Sequence, residues 1–456
     1  MTFREKILKN DFSDLLFKRG HKNYVHPSKV AQLFETLPFE NALKAYLAFD
    51  EESQVNVFAY LDTVLQQDLL ENFSSNKASH LLSKLNSDDR MMFLSSLKDW
   101  EQTRYINLLN QSQKELTHNL LGYPKDSVAR IMNTNAVTIQ QNKSVSEAID
   151  YIRQNYTDNE TADVIFVVDE KNKLIDDVPI RRLVFNEPDQ RIGELLDHFC
   201  PSLTIHENQE SAVSMFKEYD RVTLPVVNEQ NVLMGVVTID DILDVAEREN
   251  TKDIQKIGGL EELDYPYVRT PFWDLIKKRA GWLIVLFLGE MLTASAMGHF
   301  EAEIAKAVVL ALFVPLIISS GGNSGSQAAT LIIRAMALKE ISLKDWWYVA
   351  RRELLSGLTL GLVLGAIGFI RIALWQNMGI FDYGQHWVLV GWTIFFSLIG
   401  IVLWGTLTGS LIPMFLKKLK LDPATSSAPF VATLVDVTGL VIYFSIASII
   451  LKGAIL

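Results

Sequence analysis

Residues 432–439, Ala-Thr-Leu-Val-Asp-Val-Thr-Gly, place a single acid, Asp436, inside an apolar stretch that runs from about Pro429 to Leu451. A stretch of that length can cross a lipid bilayer, which takes ~20 residues. A carboxylate in hydrocarbon costs several kcal/mol unless it faces a partner, water or a cation. Asp436 could instead hydrogen-bond a neighbouring helix and hold a bundle together. Because intramembrane acids are functional by default, we predict that it faces a pore.

The type of ligand also indicates the ion. An aspartate is a hard oxygen ligand, and Mg²⁺ sheds its waters reluctantly, so it is often held through them by one or two carboxylates. One acid per chain therefore suits a partly hydrated Mg²⁺ ion, and two copies of Asp436 would face it in a dimer. The apolar stretches contain no thiolate or histidine cluster, which argues against a soft metal.

Further candidates lie in the other apolar stretches. Asn323, Ser326 and Gln327 supply neutral oxygens that either accept hydrogen bonds from water around an ion or satisfy the backbone of an interrupted helix. Glu353 either attracts cations at the pore mouth or pairs with the two arginines before it. Glu290 is a second buried acid, and we rank it behind Asp436.

Five apolar spans predict a membrane half. Basic residues cluster before the first span, between the second and third, and after the fourth, which by the positive-inside rule predicts a cytoplasmic N-terminus and an external C-terminus. Pro315 and the run 319–327 predict a break in the second span, and irregular backbone at membrane depth survives only inside protein or beside water. Glycines at helical spacing predict close helix contacts. The spans are approximately 281–297, 305–333, 347–375, 387–416 and 429–451, and the glycines are Gly357, Gly361, Gly365, Gly405 and Gly409.

Composition excludes several classes of protein. A net charge of −11 argues against a nucleic-acid binder and favours a surface that attracts cations. The single cysteine, Cys200, permits no internal disulfide and fits a reducing compartment. The sequence contains no His-Glu-x-x-His run and no phosphate loop that ends in Gly-Lys-Ser/Thr, so we predict neither a metalloprotease nor an ATP-driven pump, and no enzyme.

The first half of the chain shows two patterns. Residues 26–124 are a string of short amphipathic helices with caps at many starts, typical of an all-α superhelix. Residues 127–244 alternate β-branched runs with helices, in the order strand, helix, strand, strand, helix, which occurs twice and predicts a paired α/β module. Ser144-Val-Ser-Glu147 is a capping box. The charged run from Asp240 to about Lys256 predicts one helix ended by Gly258-Gly259.

Specific motifs in the second repeat resemble a CBS domain: Leu224-Pro-Val-Val-Asn and 235–243, Gly-Val-Val-Thr-Ile-Asp-Asp-Ile-Leu. The first repeat departs from that pattern at 177–182. With Gly321-Gly-Asn-Ser-Gly-Ser-Gln327, Asp422-Pro-Ala and 432–440 included, the whole chain resembles the MgtE family of magnesium channels and transporters. The resemblance implies an all-α N-terminal superhelical domain, α/β tandem CBS domains, a connecting plug helix and an all-α transmembrane domain of five helices. The expected boundaries are 1–125, 126–190, 191–245, 246–272 and 273–456.

The resemblance also implies a homodimer with one central pore. Asp436 would be the principal ion ligand, with the backbone near Ala432 contacting the hydrated ion. Cytosolic Mg²⁺ would close the gate through six acids: Asp220, Asp241, Asp244, Glu249, Asp253 and Asp422. The charged run on the connecting helix adds Glu247 to this regulatory set. A CBS pair also implies ATP as a candidate ligand, with Asp241 as a candidate contact, whereas Arg182 and Arg221 stand where an acid and an aromatic residue are expected.

We therefore expect a gated Mg²⁺ channel or transporter of the inner or plasma membrane, with lipid, Mg²⁺ and a second copy as its partners. Within transport, the alternative is a broader carrier of Co²⁺, Mn²⁺, Ni²⁺ or Zn²⁺. From another class, the alternative is a membrane-tethered sensor whose CBS pair binds a nucleotide. The sensor predicts that Asp436→Ala spares function, and the channel predicts that it abolishes uptake.

Overall fold

The computed structural model describes residues 25–155, 163–263, 267–268 and 270–454. Two compact units, 1–248 and 249–456, divide the chain. Parts of the expected N-terminal domain, residues 1–24, and of the expected linker, residues 264–266 and 269, lie outside the described residues. The five expected domain boundaries remain predictions.

Short helices fill the first part of the chain, as the sequence predicts. Their side-chain caps are real, because Asp50 Oδ1 accepts from Ser53 N at 2.8 Å and Asp62 Oδ1 accepts from Leu65 N at 2.9 Å. Apolar side chains from successive helices form one continuous core. The helices are α1 Pro27–Glu35, α2 Phe39–Ala48, α3 Glu51–Ala59, α4 Thr63–Glu71, α5 Ser75–Lys84, α6 Ser87–Ser95, α7 Asp99–Ile106 and α8 Gln111–Leu121.

Two three-stranded sheets follow, and their matching topology confirms the tandem repeat. In each sheet the first strand pairs parallel with the second, the second pairs antiparallel with the third, and a register shift falls near the end of the middle strand. The predicted capping box is present, because Ser144 N donates to Glu147 Oε2 at 2.9 Å and Glu147 N donates to Ser144 Oγ at 3.2 Å. The elements are β1 Thr138–Gln140, α9 Val145–Asn155, β2 Val164–Val168, β3 Leu174–Pro179, α10 Ile180–Phe185, β4 Leu203–Thr204, α11 Gln209–Tyr219, β5 Thr223–Val227 and β6 Leu233–Thr238.

The charged run forms a single helix, α12, from Ile239 to Ile257. Gly259 follows with φ +72°, a left-handed backbone that glycine adopts without a Cβ penalty. The helix is therefore as long as the sequence predicts, and it ends at the predicted glycine pair.

Five helices of the described residues are long and apolar enough to cross a membrane, which confirms the predicted number. Their shared core includes Ile317, Ile401, Val435 and Tyr443, and the Tyr443 hydroxyl donates to Leu310 O at 2.9 Å. The five candidate spans are Phe272–His299, Val308–Ala337, Leu343–Asn377, Trp387–Lys418 and Ala428–Ile450. The described α-helices of this half, including two short ones before and within the second span, are α13 Phe272–His299, α14 Glu301–Lys306, α15 Val308–Ala311, α16 Val314–Ala337, α17 Trp346–Asn377, α18 Trp387–Lys418 and α19 Ala428–Ile450.

The predicted break in the second span is wrong in its position. Pro315 lies in the first turn of α16, where its missing N–H is not needed, and residues 319–327 are helical. The interruption comes earlier, around Ala307 and between α15 and α16. The glycines of the run serve packing instead, because a Cβ added at Gly321 would lie 2.4 Å from the Ile401 side chain.

The predicted glycine contacts are confirmed on α17 and α18. A Cβ added at Gly361 would lie 2.7 Å from Ile399 Cα, and one added at Gly365 would lie 2.8 Å from Phe395 O. These backbones approach so closely because neither glycine carries a side chain. In the same way, Gly405 of α18 meets the backbone of α16.

Candidate cation site in the membrane half

Asp436 lies in the middle of α19, at the contact between α16 and α19, which we term the α16–α19 seam. Gly322 of α16 makes the room for it: a Cβ added there would lie 3.1 Å from Asp436 Oδ1 and 3.4 Å from Ala432 Cβ. The expected ligands Asp436 and Ala432 are therefore adjacent, one helical turn apart, on the same side of α19. No hydrogen bond to the Asp436 carboxylate is present among the described residues.

Ser326 belongs to the same seam, one turn after Gly322. Its hydroxyl donates to Ala428 O at 3.0 Å, so it joins α16 to α19 directly. The acceptor belongs to another helix and α16 is uninterrupted here, so this bond differs from both roles expected for Ser326. The structure therefore groups Asp436, Ala432 and Ser326, but Ser326 acts there as a hydrogen-bond donor between helices.

Asn323 and Gln327 lie on an exposed polar face of α16 beside this seam. The Asn323 amide donates to Ser319 Oγ at 3.3 Å, which directs the two polar side chains along the helix. Polar side chains recur every three or four residues on this face of the second candidate span, Val308–Ala337. The face consists of Ser319, Asn323, Gln327, Thr330 and Arg334.

The other two acids of the membrane half lie in different places. Glu353 is on α17, which packs mainly against α18, so this carboxylate lies on a different contact from Asp436. Glu290 is on α13 and acts electrostatically on Asp436. Its neighbour Gly289 lies against α19, where an added Cβ would be 3.0 Å from Thr433 Cγ2. Glu290, the acid ranked behind Asp436 from the sequence, is therefore the one whose charge acts on Asp436.

Asp241 is the most strongly perturbed acid of the regulatory set. Burial raises its pKa to about 8, and the nearby Asp88 carboxylate of α6 adds to the increase. Thr238 Oγ1 donates to Asp241 Oδ2 at 2.6 Å, and Asp88 is only 9% exposed. Two ionised acids that act on each other electrostatically repel unless a proton or a cation neutralises them. A divalent cation with oxygen ligands therefore suits this pair.

The remaining acids of the set are spread along the chain. Burial raises the pKa of Asp244, an effect that Arg248 opposes. Asp220 forms the left-handed C-cap of α11 with φ 49°. Glu247 is exposed on α12. Two residues later, Glu249 Oε1 lies 3.4 Å from Lys252 Nζ, and Asp253 comes about one turn after Glu249. These residues therefore occupy several separate environments.

Asp422 is already engaged within the second unit. Its Oδ1 accepts from Ala424 N at 2.9 Å, and its Oδ2 accepts from the Lys256 ammonium. This acid therefore lies against the end of α12.

Two arginines occupy the positions at which the CBS pattern expects other residues. Arg221 pairs with the buried Asp177 at 2.6 Å, and Arg182 pairs with Asp197 at 2.8 Å. Asp176, Asp177 and Cys200 bring potential ligand atoms within 4.8 Å of one another. Burial and Asp177 raise the pKa of the Cys200 thiol, so it stays protonated and is a poor metal ligand. The expectation that ATP binds to this pair remains a prediction.

Sequence reasoning misses two residues that the structure adds. Gly322 falls within the predicted break, although a glycine four residues before Ser326 is a packing signal in a membrane helix. Asp88 follows Ser87 at the start of an ordinary helix, and nothing in its sequence context links it to Asp241. Only the fold brings these two acids together.

Comparison with known families agrees with these observations. The intracellular N domain of MgtE matches residues 25–126, and the CBS domain matches 128–186 and 192–248. MgtE itself, described as a divalent cation transporter, matches residues 314–446, which include both helices of the α16–α19 seam. The three matches follow the same order along the chain as the predicted domains.

Individual relatives match over nearly the whole chain. The magnesium transporter MgtE of Thermus thermophilus is 32% identical over 432 residues, 94% of each chain. That of Bacillus subtilis is 28% identical over 93% of this chain and 92% of its own. A crystal structure of the cytosolic domain of the Mg²⁺ channel MgtE in complex with ATP is 26% identical, covering 48% of this chain and 90% of that one with a TM-score of 0.46. The chain belongs to the MgtE family of divalent cation transporters.

Proposed function

We propose that this protein is a gated Mg²⁺ channel that admits the ion into the cytosol through a pore beside the α16–α19 seam. The observation that carries the proposal is the Asp436 carboxylate at membrane depth, held against Gly322 and adjacent to the exposed polar face of α16. Carboxylate and neutral oxygens are the ligands that Mg²⁺ prefers. Asn323 and Gln327 would accept hydrogen bonds from water that remains on the ion, while Asp436 supplies the charge.

A second copy of the chain completes the pore in this proposal. The polar face of α16 is exposed in the single chain, and α13 is almost entirely exposed as well. A row of polar side chains is expensive to hold against lipid, so it favours a buried or water-filled position. A homodimer with both α16 faces turned inward would provide that position and would place two Asp436 carboxylates on the ion path.

The membrane potential supplies the driving force. The basic residues around 277–279, 334–352 and 417–420 favour a cytoplasmic N-terminal half and an external C-terminus. Moving charge across the membrane is worth ~2.3 kcal/mol per elementary charge per 100 mV, so a divalent cation is drawn inward without ATP. The channel therefore belongs in an inner or plasma membrane that carries such a potential.

The experiment that tests the proposal is ion flux into proteoliposomes that contain the full chain. With a fluorescent Mg²⁺ indicator inside, we expect uptake that rises with an inside-negative potential and exceeds that of empty vesicles. Competition with Ca²⁺ and Co²⁺ separates the two transport alternatives. For a Mg²⁺ channel we expect Ca²⁺ at the same concentration as Mg²⁺ to inhibit uptake only weakly. Transport of Co²⁺, Mn²⁺, Ni²⁺ and Zn²⁺ at the same rate as Mg²⁺ would support the broader carrier. No uptake of any of these ions would contradict the proposal.

Cytosolic Mg²⁺ is the proposed closing signal. Asp241, Asp88 and the acids along α12 are carboxyl groups that repel one another when ionised, so either a proton or a bridging divalent cation must neutralise them. Neutralising that charge favours the conformation in which the acids lie close together. The element that Mg²⁺ biases in this proposal is α12, which leads from the CBS repeats toward the membrane half.

If cytosolic Mg²⁺ closes the channel through these acids, removing their charge should prevent closure without preventing conduction. The triple variant Asp241→Asn, Asp244→Asn and Glu249→Gln should still conduct, but it should stay open at an internal Mg²⁺ concentration that closes the wild type. Measuring flux at internal Mg²⁺ concentrations in 10-fold steps gives the shift in the concentration that closes the channel. Each 10-fold shift corresponds to about 1.4 kcal/mol of lost closing free energy. Asp126→Asn, a single-charge change outside the acidic set, serves as the control. A triple variant that closes normally would remove the gating part and leave the pore part standing.

A further inference from the structure

The end of α12 docks onto the membrane half through several contacts, all within residues 249–456. Gly259 lies against the indole of Trp282, where an added Cβ would be 2.6 Å from Cδ1. The Trp282 Nε1 in turn donates to Ser427 Oγ at 3.0 Å, at the N-cap of α19. Ile257 packs against the apolar core of the membrane half. The last turn of α12 is therefore fitted to the start of the helix that carries Asp436.

One ion pair joins this docked turn to the segment just before α19. The Lys256 ammonium donates to Asp422 Oδ2, and both side chains are substantially buried, with 28% and 37% of their surfaces exposed. Asp422 Oδ1 accepts from Ala424 N, which makes Asp422 the cap of a 3₁₀ turn that leads into α19. Both carboxylate oxygens are engaged, one by the backbone and one by a cation from within the chain.

A second lysine neutralises acids one helical turn earlier. Lys252 Nζ lies 3.4 Å from Glu249 Oε1 and 3.9 Å from Glu262 Oε2. These two partners of Lys252 belong to α12 or to the segment that follows it, so the contacts hold the helix end to its own loop. Lys256 differs because its partner lies 166 positions away, next to α19.

We propose that the Lys256–Asp422 pair is a latch that holds α12 on the membrane half without a metal ion. The proposal rests on the channel function above and concerns its regulation. An ammonium group at Asp422 does what a bridging Mg²⁺ would do there, because it neutralises the carboxylate and connects it to α12. Lys256 and Mg²⁺ are then alternatives at Asp422, and the acids nearer the CBS repeats carry the metal dependence.

The two roles of Asp422 predict opposite effects for a change at Lys256. If the pair is a latch, Lys256→Gln loosens docking and raises flux at closing Mg²⁺ by about two- to fivefold, the range expected for a partly exposed ion pair. If Asp422 is chiefly a Mg²⁺ ligand, the same change removes a competing cation and closure needs less Mg²⁺. Asp422→Asn keeps a side-chain oxygen for Ala424 N, so it tests the charge alone.

The experiment combines flux with a direct measure of docking. A cysteine introduced at Ile257, in a Cys200→Ser background, reports docking through its rate of reaction with a maleimide. We expect Lys256→Gln, Asp422→Asn and the double variant to raise this rate by a similar factor of about two to five, since each breaks the same pair. Lys252→Gln makes the same charge change one turn earlier and should leave the rate unchanged.

Two results would overturn the latch. One is a labelling rate in Lys256→Gln equal to the wild type. The other is additive effects in the double variant, because independent residues add whereas paired residues do not. If the wild type conducts Mg²⁺ and the variants give either result, the latch is rejected and the proposed channel function stands. A wild type that conducts no Mg²⁺ contradicts the proposed function, and the labelling rates then still decide whether the ion pair holds α12.

Discussion

Asp436→Asn should abolish Mg²⁺ uptake while leaving the protein folded and inserted. The amide has nearly the shape of the carboxylate, so its fit against Gly322 and Ala432 is kept and only the charge is lost. Residues that merely support a metal ligand cost roughly 10–100-fold in affinity when they are changed. Loss of the charged ligand itself should cost at least as much, so flux should fall to the level of empty vesicles. Uptake into proteoliposomes with a fixed inside-negative potential measures this loss.

The matched control removes the same charge from an acid outside the spans. Asp382→Asn keeps an oxygen that can accept from Gln376 Nε2 and Gly384 N, as the Asp382 carboxylate does at 3.1 and 2.8 Å. We expect this variant to conduct within about twofold of the wild type, because exposed charges contribute little. Asp436→Asn with uptake equal to that of Asp382→Asn would contradict the pore assignment. It would instead support the alternative in which Asp436 joins two helices or the protein acts as a sensor.

The second large effect is expected at Gly409, where α18 touches α16. A Cβ added at Gly409 would lie 2.2 Å from Gly325 O, and one added at Gly405 would lie 2.6 Å from Gly321 O. The obstacle in each case is backbone, which cannot rotate away as a side chain can. Gly409→Ala must therefore separate the two helices, and an overpacked contact of this kind costs about 1–3 kcal/mol. Because α16 carries the polar face, flux should fall together with stability.

Thermal unfolding of the protein in detergent, together with flux, measures the effect of Gly409→Ala. Gly298→Ala is the control, because nothing lies within 4 Å of a Cβ added there in the last turn of α13. This control should unfold at the same temperature as the wild type or slightly above it, since alanine is the better helix former. Equal unfolding temperatures for the two variants would show that α16 and α18 are not held together by these glycines.

Local patterns along the chain are sufficient to predict many of these features. Apolar length determines the five spans, because a helix must cross ~30 Å of hydrocarbon. The capping box at Ser144 and the glycine end of α12 depend on residues within a few positions of each other, so neighbouring residue types are enough to identify them. The position of Asp436 in such a span already makes it the leading candidate for a functional acid.

The second span shows where local patterns mislead. Several glycines and serines in 319–327 weaken helix propensity, and on that basis the run is expected to interrupt the helix. Neighbouring helices reverse this expectation, because Gly321, Gly322 and Gly325 allow α18 and α19 to approach α16 closely. The close packing of the three helices outweighs the small intrinsic cost of glycine in a helix. The same residues therefore mean a break in isolation and a packing surface in the fold.

In this chain the linear order of residue types is enough to predict most helices and strands, which segments suit a membrane and which of those segments contains Asp436, since each depends on neighbours in sequence. The electrostatic repulsion between Asp88 and Asp241, the ion pair of Lys256 with Asp422 and the close approach of Gly322 to Asp436 each join residues that are far apart in the sequence. Charge and size at one position carry no information about which distant position will face it. Those three interactions exist only because packing of the helices brings the partners together, and they are the ones on which the proposals for gating, docking and the pore rest.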